Sequence, residues 1–161
     1  MSRLDSFIRR MTAQRDILNH LAQDLRVPTS GVVLEIGLGN GRTYSHLSEL
    51  FPDRRIIALD RALAAHGSCI PAPDDLVLGE ISLTAQGFVG QGAALVHADI
   101  GTGYPDRDAQ TLTWLPGLAA DLLGPGGIAA SGLPLAHPAL LPLPLPAGVD
   151  VERYFIYRKR A

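Results

Sequence analysis

The sequence predicts an α/β fold: a three-layer, doubly wound sheet of five parallel strands, with one antiparallel strand at the C-terminus and helices at the N-terminus. Three observations carry this. Short apolar runs recur at 32–36, 55–59, 76–78, 93–98 and 128–131, and apolar runs without polar alternation suit parallel strands buried on both faces. Segments of helical or turn character separate them, and strands alternating with helices build βαβ units. The first run leads directly into the glycine-rich turn Gly37-Leu38-Gly39-Asn40-Gly41.

In chain order, residues 2–26 read as helix, with Leu4, Phe7, Ile8 and Met11 on one stripe and Ile17, Leu18, Leu21 and Leu25 on another. Thr12 lies between the stripes and is a candidate cap that would split the segment in two. Arg3, Arg9, Arg10 and Arg15 interleave with Asp5, Asp16 and Asp24, the pattern of a solvated face rather than of a nucleic-acid arm. Pro28 stops the helix. After the glycine turn a helix should run to about residue 50, closed by Phe51-Pro52-Asp53. The second strand ends at Asp60 and the fourth at Asp99. A helix over 109–123, capped by Asp106 or Asp108, precedes the tight turn Gly124-Pro125-Gly126-Gly127 and the fifth strand.

Five prolines between Pro134 and Pro146 forbid a long helix there, and the alternation over 152–159 reads as a final strand. A parallel strand would need a crossover, usually helical. The last strand is therefore expected to lie antiparallel beside the fifth. Residues 133–148, with leucines at 133, 135, 140, 141, 143 and 145 and the titratable His137, would then cross the carboxyl end of the sheet as a dry lid over a ligand. A packed crossover without ligand contact is the alternative. Tyr154, Phe155 and Tyr157 would make this strand an aromatic edge, which predicts pairing into a homo-oligomer, a dimer before any higher state. There is no internal repeat, so the organisation is one domain, 1–161, with 1–26 as an N-terminal helical extension.

The composition narrows the function classes. Apolar residues make up 47% and charged residues 19% of 161, enough to build a core. A formal net charge of −2 gives no global field toward nucleic acid or anionic lipid. Cys69 is the single cysteine, which excludes an intramolecular disulfide framework and a cysteine-based zinc site. No apolar run reaches the ~20 residues of a membrane span, and the N-terminus is charged from Arg3 onward, without an apolar signal core. These features lead us to expect a cytoplasmic protein.

A Gly-x-Gly-x-Gly turn after a strand lets the backbone turn sharply and approach a ligand with no Cβ in the way, while the following helix points its free N–H groups at that ligand. About 20 residues on, a Rossmann-like fold places an acid on the ribose hydroxyls, and Asp60 stands there. The NAD fingerprint Gly-x-Gly-x-x-Gly requires glycine at 42, where the chain has Arg42. A Walker loop fails for want of Gly-Lys-Ser/Thr.

Glu35-Ile36-Gly37-Leu38-Gly39-Asn40-Gly41 resembles the first motif of class I S-adenosylmethionine-dependent methyltransferases, and the resemblance runs from Val32 to Ser131. More narrowly, the stretch from Arg3 to Arg15 and Gly39-Asn40-Gly41-Arg42-Thr43-Tyr44 resemble a small bacterial group of methyltransferase-like proteins with no assigned substrate. The resemblance implies S-adenosyl-L-methionine as cofactor. It implies a cofactor-binding set of Glu35, Gly37, Leu38, Gly39, Asn40, Gly41, Arg42, Thr43, Asp60, Arg61, Gly79, Glu80, Ile81 and Asp99. Within it Glu35 would help hold the ammonium group, often through water, Asp60 would take the ribose, and Glu80 with Ile81 the adenine. Arg42 would either meet the carboxylate or pair on the helix surface. The larger family's seventh strand and the helix before it are expected to be missing.

Methyl transfer from a sulfonium is an in-line displacement, to which positioning contributes heavily. A hydroxyl or ammonium acceptor also needs a base. Asp99, which lines the transfer side in the family, is the candidate catalytic residue, with Tyr104, His66 and His137 as further pocket candidates. His97, inside a strand, reads as a satisfied core histidine, and His20 and His46 as helix-surface or packing residues. Asp99-Ile100-Gly101-Thr102 lacks the Asn/Asp-Pro-Pro-Tyr/Phe run of enzymes acting on amino groups of bases or glutamine. The fifth strand ends in Ser131-Gly132, without the second acid of metal-dependent catechol-type enzymes, so no metal is expected. No basic stripe suits nucleic acid, which leaves a small-molecule substrate. Three readings stand: a methyltransferase, a binding protein for S-adenosylmethionine or S-adenosylhomocysteine without transferase activity, and, disfavoured by Arg42, an NAD-type oxidoreductase. Isothermal calorimetry should show S-adenosylhomocysteine binding and no NADH binding, and Gly39→Val should abolish the former.

Overall fold

A computed structural model of the chain describes residues 1–161. Its centre is β1 (Val33–Ile36), flanked by β2 (Ile56–Asp60) and β4 (Ala93–Ala98). β1 and β4 are buried at every position, as strands covered on both faces must be. β3 (Leu76–Leu78), β5 (Leu123–Ser131), β6 (Leu140–Leu143) and β7 (Phe155–Lys159) complete a seven-stranded sheet in the order β3-β2-β1-β4-β5-β7-β6. β1 to β5 run parallel, and β7 runs antiparallel to both β5 and β6, so the last strand takes the expected place and direction. Strand order reverses between β1 and β4. Their carboxyl ends, at Gly37 and Asp99, therefore open the crevice that doubly wound sheets use for ligands.

Alternation divides the core. Leu34 and Ile36 face a layer built on α5 (Leu115–Leu122), while Val33 and Leu95 face α1 (Arg3–Gln23) and α2 (Arg42–Leu50). No helix is long and apolar enough to cross a membrane.

Four elements differ from the sequence expectation. α1 is one unbroken helix. Ser2 caps it in a reciprocal box with Asp5, and Phe7, Met11, Gln14, Leu18, Leu21 and Leu25 follow one another at steps of four and three, so the two stripes are a single seam running past Thr12. Expected helix 109–123 is instead α4 (Pro105–Leu112) and α5, broken at Thr113 and Trp114. Pro116 lacks an N–H and its ring would meet the carbonyl of residue 112, so it is accommodated only in the first turn of a new helix. Asp108 lies within α4 and accepts from the Thr102 and Gly103 N–H groups and the Thr102 hydroxyl, ordering the preceding loop rather than capping the helix. β5 begins at Leu123, not after the glycines. Residues 124–127 form a bulge, pressed on Gly92 and Ala93, across which the register jumps from Ala93–Leu123 to Leu95–Ile128. The Lys159 ammonium donates to the Leu123 carbonyl and the Arg158 guanidinium to that of Gly126.

The largest difference is in the proline-rich segment. Ser131 pairs with Phe155 at the carboxyl end of the sheet, whereas Leu140 pairs with Lys159 near the amino end. Residues 132–139 must therefore run back across one face. Leu133 and Leu135 are buried on the α5 side, and the Leu135 N–H donates to the Tyr157 hydroxyl at 2.9 Å. The segment then forms β6, where Pro142 is tolerated because an edge strand can spare a donor. The seventh strand is thus present, and only the helix before it is missing. β6 covers β7, so the aromatic strand that suggested association is an interior one. Residues 144–154 turn back toward α1, where Asp150 pairs with Arg9 at 2.7 Å.

In urea unfolding, Leu18→Ala should cost about 2–5 kcal/mol, because its fully enclosed side chain leaves a cavity beneath α1. Leu4→Ala, at 66% exposure in the same helix, should change stability by less than about 0.5 kcal/mol.

Candidate functional site

The site begins where β1 ends. Gly37 has φ +88°, and a Cβ there would lie 2.3 Å from the Ile100 Cγ2, so only glycine lets the β1 and β4 loops approach. Gly39 has φ +53° and nothing within 4 Å of where a Cβ would project. Its N–H donates to the Asp60 Oδ2 at 2.7 Å, which ties the turn to the end of β2. Asp60 Oδ1 accepts from the Arg61 N–H at 2.6 Å, and Arg61 pairs with Glu80 at 3.1 Å. A cleft of about 990 Å³ lies over these groups, lined by Gly37, Gly39, Asp60, Arg61, Glu80, Ile81 and Asp99 among others. Seven expected site residues thus converge on one cavity.

The opposite wall went unread in the sequence. Arg107, Gln110, Thr111, Thr113 and Trp114 line it from α4 and the break before α5. Pro116 was the available signal: a helix interrupted there turns residues 113–114 into a loop at the carboxyl end of the sheet.

A second niche of about 230 Å³ opens on the other side of the glycine turn, lined by Leu38, Asn40, Arg42 and Thr43, with Gly37, Gly39, Asp99 and Gly101 also contributing. Its outer wall is Arg10, Met11 and Gln14 of α1. The Gln14 amide donates to Asp99 Oδ2. The reading of α1 as an extension with a solvated polar face missed this wall. Gln14 occupies a seam position between Met11 and Leu18, and a polar side chain there was the signal. Asn40 Oδ1 accepts from the Arg42 N–H at 3.1 Å as α2 begins. Arg42 pairs with no carboxylate. Its guanidinium lies 5.8 Å from the centre of the Phe7 ring.

Three expected cofactor residues stand apart from both cavities. Gly41 caps α2 against Cys69, and Gly79 packs on Thr84. Glu35 points into the α1/α2 side of the core, fully buried. Its Oε1 accepts from the Thr43 hydroxyl at 2.7 Å and its Oε2 meets His97 Nδ1 at 2.9 Å. β1 alternation turns the carboxylate away from the crevice and into the core. His97 is the satisfied core histidine expected, with Nε2 at 2.5 Å from the Tyr154 hydroxyl. Burial opposes its charged form, but Glu35, by charge and hydrogen bond, and Asp99 outweigh that and hold its pKa above the usual histidine value. Burial first, then the Asp99 and Glu35 charges, keeps the Tyr154 phenol protonated. Tyr104, His66 and His137 line neither cavity, nor does any residue of 133–148, so the proline-rich segment is the packed crossover and not a lid. His46 bonds to Asn19 at 2.8 Å and His20 to Asp24 at 2.6 Å.

A family model described as S-adenosyl-L-methionine methyltransferase matches residues 1–159. No curated protein matches the chain. The crystal structure of an S-adenosyl-L-methionine methyl transferase from Silicibacter pomeroyi DSS-3 is 38% identical over 99% of each chain, with a TM-score of 0.86. An O-methyltransferase family protein from Burkholderia thailandensis is 18% identical over 98% of this chain and 58% of its own, at 0.59. DesVI of Streptomyces venezuelae is 19% identical over 82% and 57%, at 0.55. The last two share the fold.

The raised His97 pKa fixes a sign. Stability from its charge is whole below the unfolded value of about 6.5 and is lost as pH rises through the higher folded value. Urea unfolding of His97→Ala should therefore show its largest loss, about 3–5 kcal/mol, near pH 6, where Glu35 is left buried without its partner. The loss should shrink toward about pH 9.

Proposed function

The chain belongs to the S-adenosyl-L-methionine methyltransferase family, and on that premise we propose how its residues hold the cofactor and that its acceptor is a small molecule. It is an S-adenosyl-L-methionine-dependent methyltransferase, and nothing in the family match favours a binding protein without transfer activity or an NAD-type oxidoreductase. The observation that carries the placement is Asp60 bonded to the Gly39 N–H across the mouth of the large cleft. An acid there faces a backbone with no Cβ, which suits a ribose lying over the turn.

The donor set fits the cofactor. Asp60 accepts from the ribose hydroxyls. Glu80 meets the exocyclic amine of the adenine while Ile81 covers its ring, and Arg61 keeps Glu80 oriented. Gly37, Leu38, Gly39 and Asn40 wrap the amino-acid end at the start of α2, where free N–H groups favour a carboxylate. Thr43, held by Glu35, fixes that first turn, so Glu35 acts as a positioning residue. The bound cofactor supplies a sulfonium-activated methyl group.

Asp99 takes the proton. Its Oδ2 accepts from Gln14, while its Oδ1 accepts no hydrogen bond from the chain and lies over Gly132, where a Cβ would come within 2.7 Å of it. An O–H or N–H acceptor would bond to that free oxygen. The cofactor would supply the methyl group to the acceptor's lone pair, with its neutral sulfide as the leaving group. The acceptor proton passes to the Asp99 carboxylate. At the large cleft Arg61 is paired with Glu80 and Arg107 lies over Tyr104, and a formal net charge of −2 favours a small acceptor over a nucleic acid.

Screening a metabolite set for S-adenosylhomocysteine release should identify a small acceptor. With it, Asp99→Asn should lower kcat by about 10²–10⁴ while S-adenosylhomocysteine still binds. Unchanged turnover would remove Asp99 as the base. Asp60→Ala should weaken S-adenosylhomocysteine binding by about 1–3 kcal/mol in calorimetry.

A further inference from the structure

We propose that the groove between α1 and α2 is the acceptor site, and that the acceptor is an apolar molecule of aromatic size carrying an anionic group. This rests on the methyltransferase reading above and adds the chemistry of the second substrate. The groove holds about 400 Å³, with Phe7, Met11 and Leu18 as its apolar lining. It adjoins the niche beside Asp99, with Met11, Gln14, Arg42 and Thr43 lining both. Gln14 stands between the two: it lines both and donates to Asp99, so a molecule lying on Phe7 and Met11 sits one side chain away from that carboxylate.

Charge identifies the occupant. Arg42 and Arg10 bring their guanidinium carbons to 5.8 and 5.7 Å from the Phe7 ring centre, and neither pairs with any carboxylate of the chain. Arg15, on the rim, has only its neighbour Asp16. No Asp or Glu lines the groove, in a chain whose formal net charge is −2. Uncompensated guanidinium groups over an apolar floor select an anion with an apolar body: the fork binds carboxylate, sulfonate or phosphate, and its face stacks on an aromatic ring. A second copy of the chain is the competing occupant, since Phe7 is 42% exposed and Leu4 and Ile8 extend the apolar surface. A two-fold interface would set this patch against itself, bringing two sets of unpaired Arg10 and Arg42 together.

The chain has two methionines, Met1 and Met11, so methyl-¹³C-methionine labelling gives one reporter inside the groove and one outside it. The labelled protein, saturated with S-adenosylhomocysteine, is titrated with 1-naphthoate and separately with the neutral 1-naphthalenemethanol. We expect the Met11 methyl signal to shift saturably while that of Met1 stays, with naphthoate binding about tenfold tighter. That preference should disappear in the double variant Arg10→Gln/Arg42→Gln. Naphthoate that leaves Met11 unmoved, or binds no tighter than the alcohol, overturns the proposal. So does a dimer, seen by light scattering, that protects Met11 from naphthoate. Calorimetry with S-adenosylhomocysteine on the same sample separates the two readings: no binding there defeats the cofactor placement, whatever naphthoate does.

Discussion

One buried ion pair sits where the architecture turns. Glu35 of β1 and His97 of β4 are register partners at the switch point of the sheet, both without solvent contact. Removing two such charges from water costs several kcal/mol each, and only a fully bonded arrangement recovers it. Here Thr43 occupies the second oxygen of Glu35, Tyr154 the second nitrogen of His97, and no buried side-chain polar atom of the chain lacks a partner. Each bond fixes a different element. Thr43 orients the first turn of α2, and with it the glycine turn. Tyr154 anchors the entry to β7, and with it the hairpin that closes the sheet. The Glu35 carboxylate is thus bonded within the scaffold, and Asp60, Glu80 and Asp99 are the acids that line the crevice.

The same polar chain explains which parts of the fold could be read from the sequence. The glycine turn, Asp60 and Asp99 were readable because each is defined by local geometry: a strand end, a missing Cβ, an acid one strand away. The last strand's direction followed from prolines that forbid a helical return. What escaped depends on contacts between distant segments. Nothing near Glu35 in the chain announces that His97 and Tyr154 will enclose it. Gln14 looked like one more polar residue on a helix until the sheet brought Asp99 beside it. Pro116 is a different case, since its consequence is local: the apolar run after it outweighed the rule that a proline begins a helix or breaks one.

The proline-rich segment shows how a short chain builds a seven-stranded sheet. A helical return from β5 to β6 would need a dozen residues or more. Residues 132–139 make the crossing extended, and the carbonyl and amide groups of such a path need partners that a helix would have supplied internally. The Tyr157 hydroxyl accepts from the Leu135 N–H, and the Ala139 carbonyl accepts from the Arg160 N–H. Leu133 and Leu135 then replace a helix face in covering the sheet. The prolines limit the freedom that the segment loses on folding. Because the segment is committed to that face, it contributes nothing to the ligand cavities.

That commitment shifts the burden of the second cavity wall to α1. One end of the helix carries Ile17, Leu18 and Leu21 into the core; the other leaves Leu4, Phe7 and Ile8 in solvent. The seam between them passes Met11 and Gln14, where the packing role gives way to the cavity role. A helix held at its inner end by apolar packing and at its outer end by the exposed Arg9–Asp150 pair, the kind worth at most about 1 kcal/mol, is anchored unevenly. The bond between Gln14 and Asp99 lies near the boundary between the firm and the loose half. Met11 and Gln14 thus stand where the packed end of α1 gives way to its exposed end.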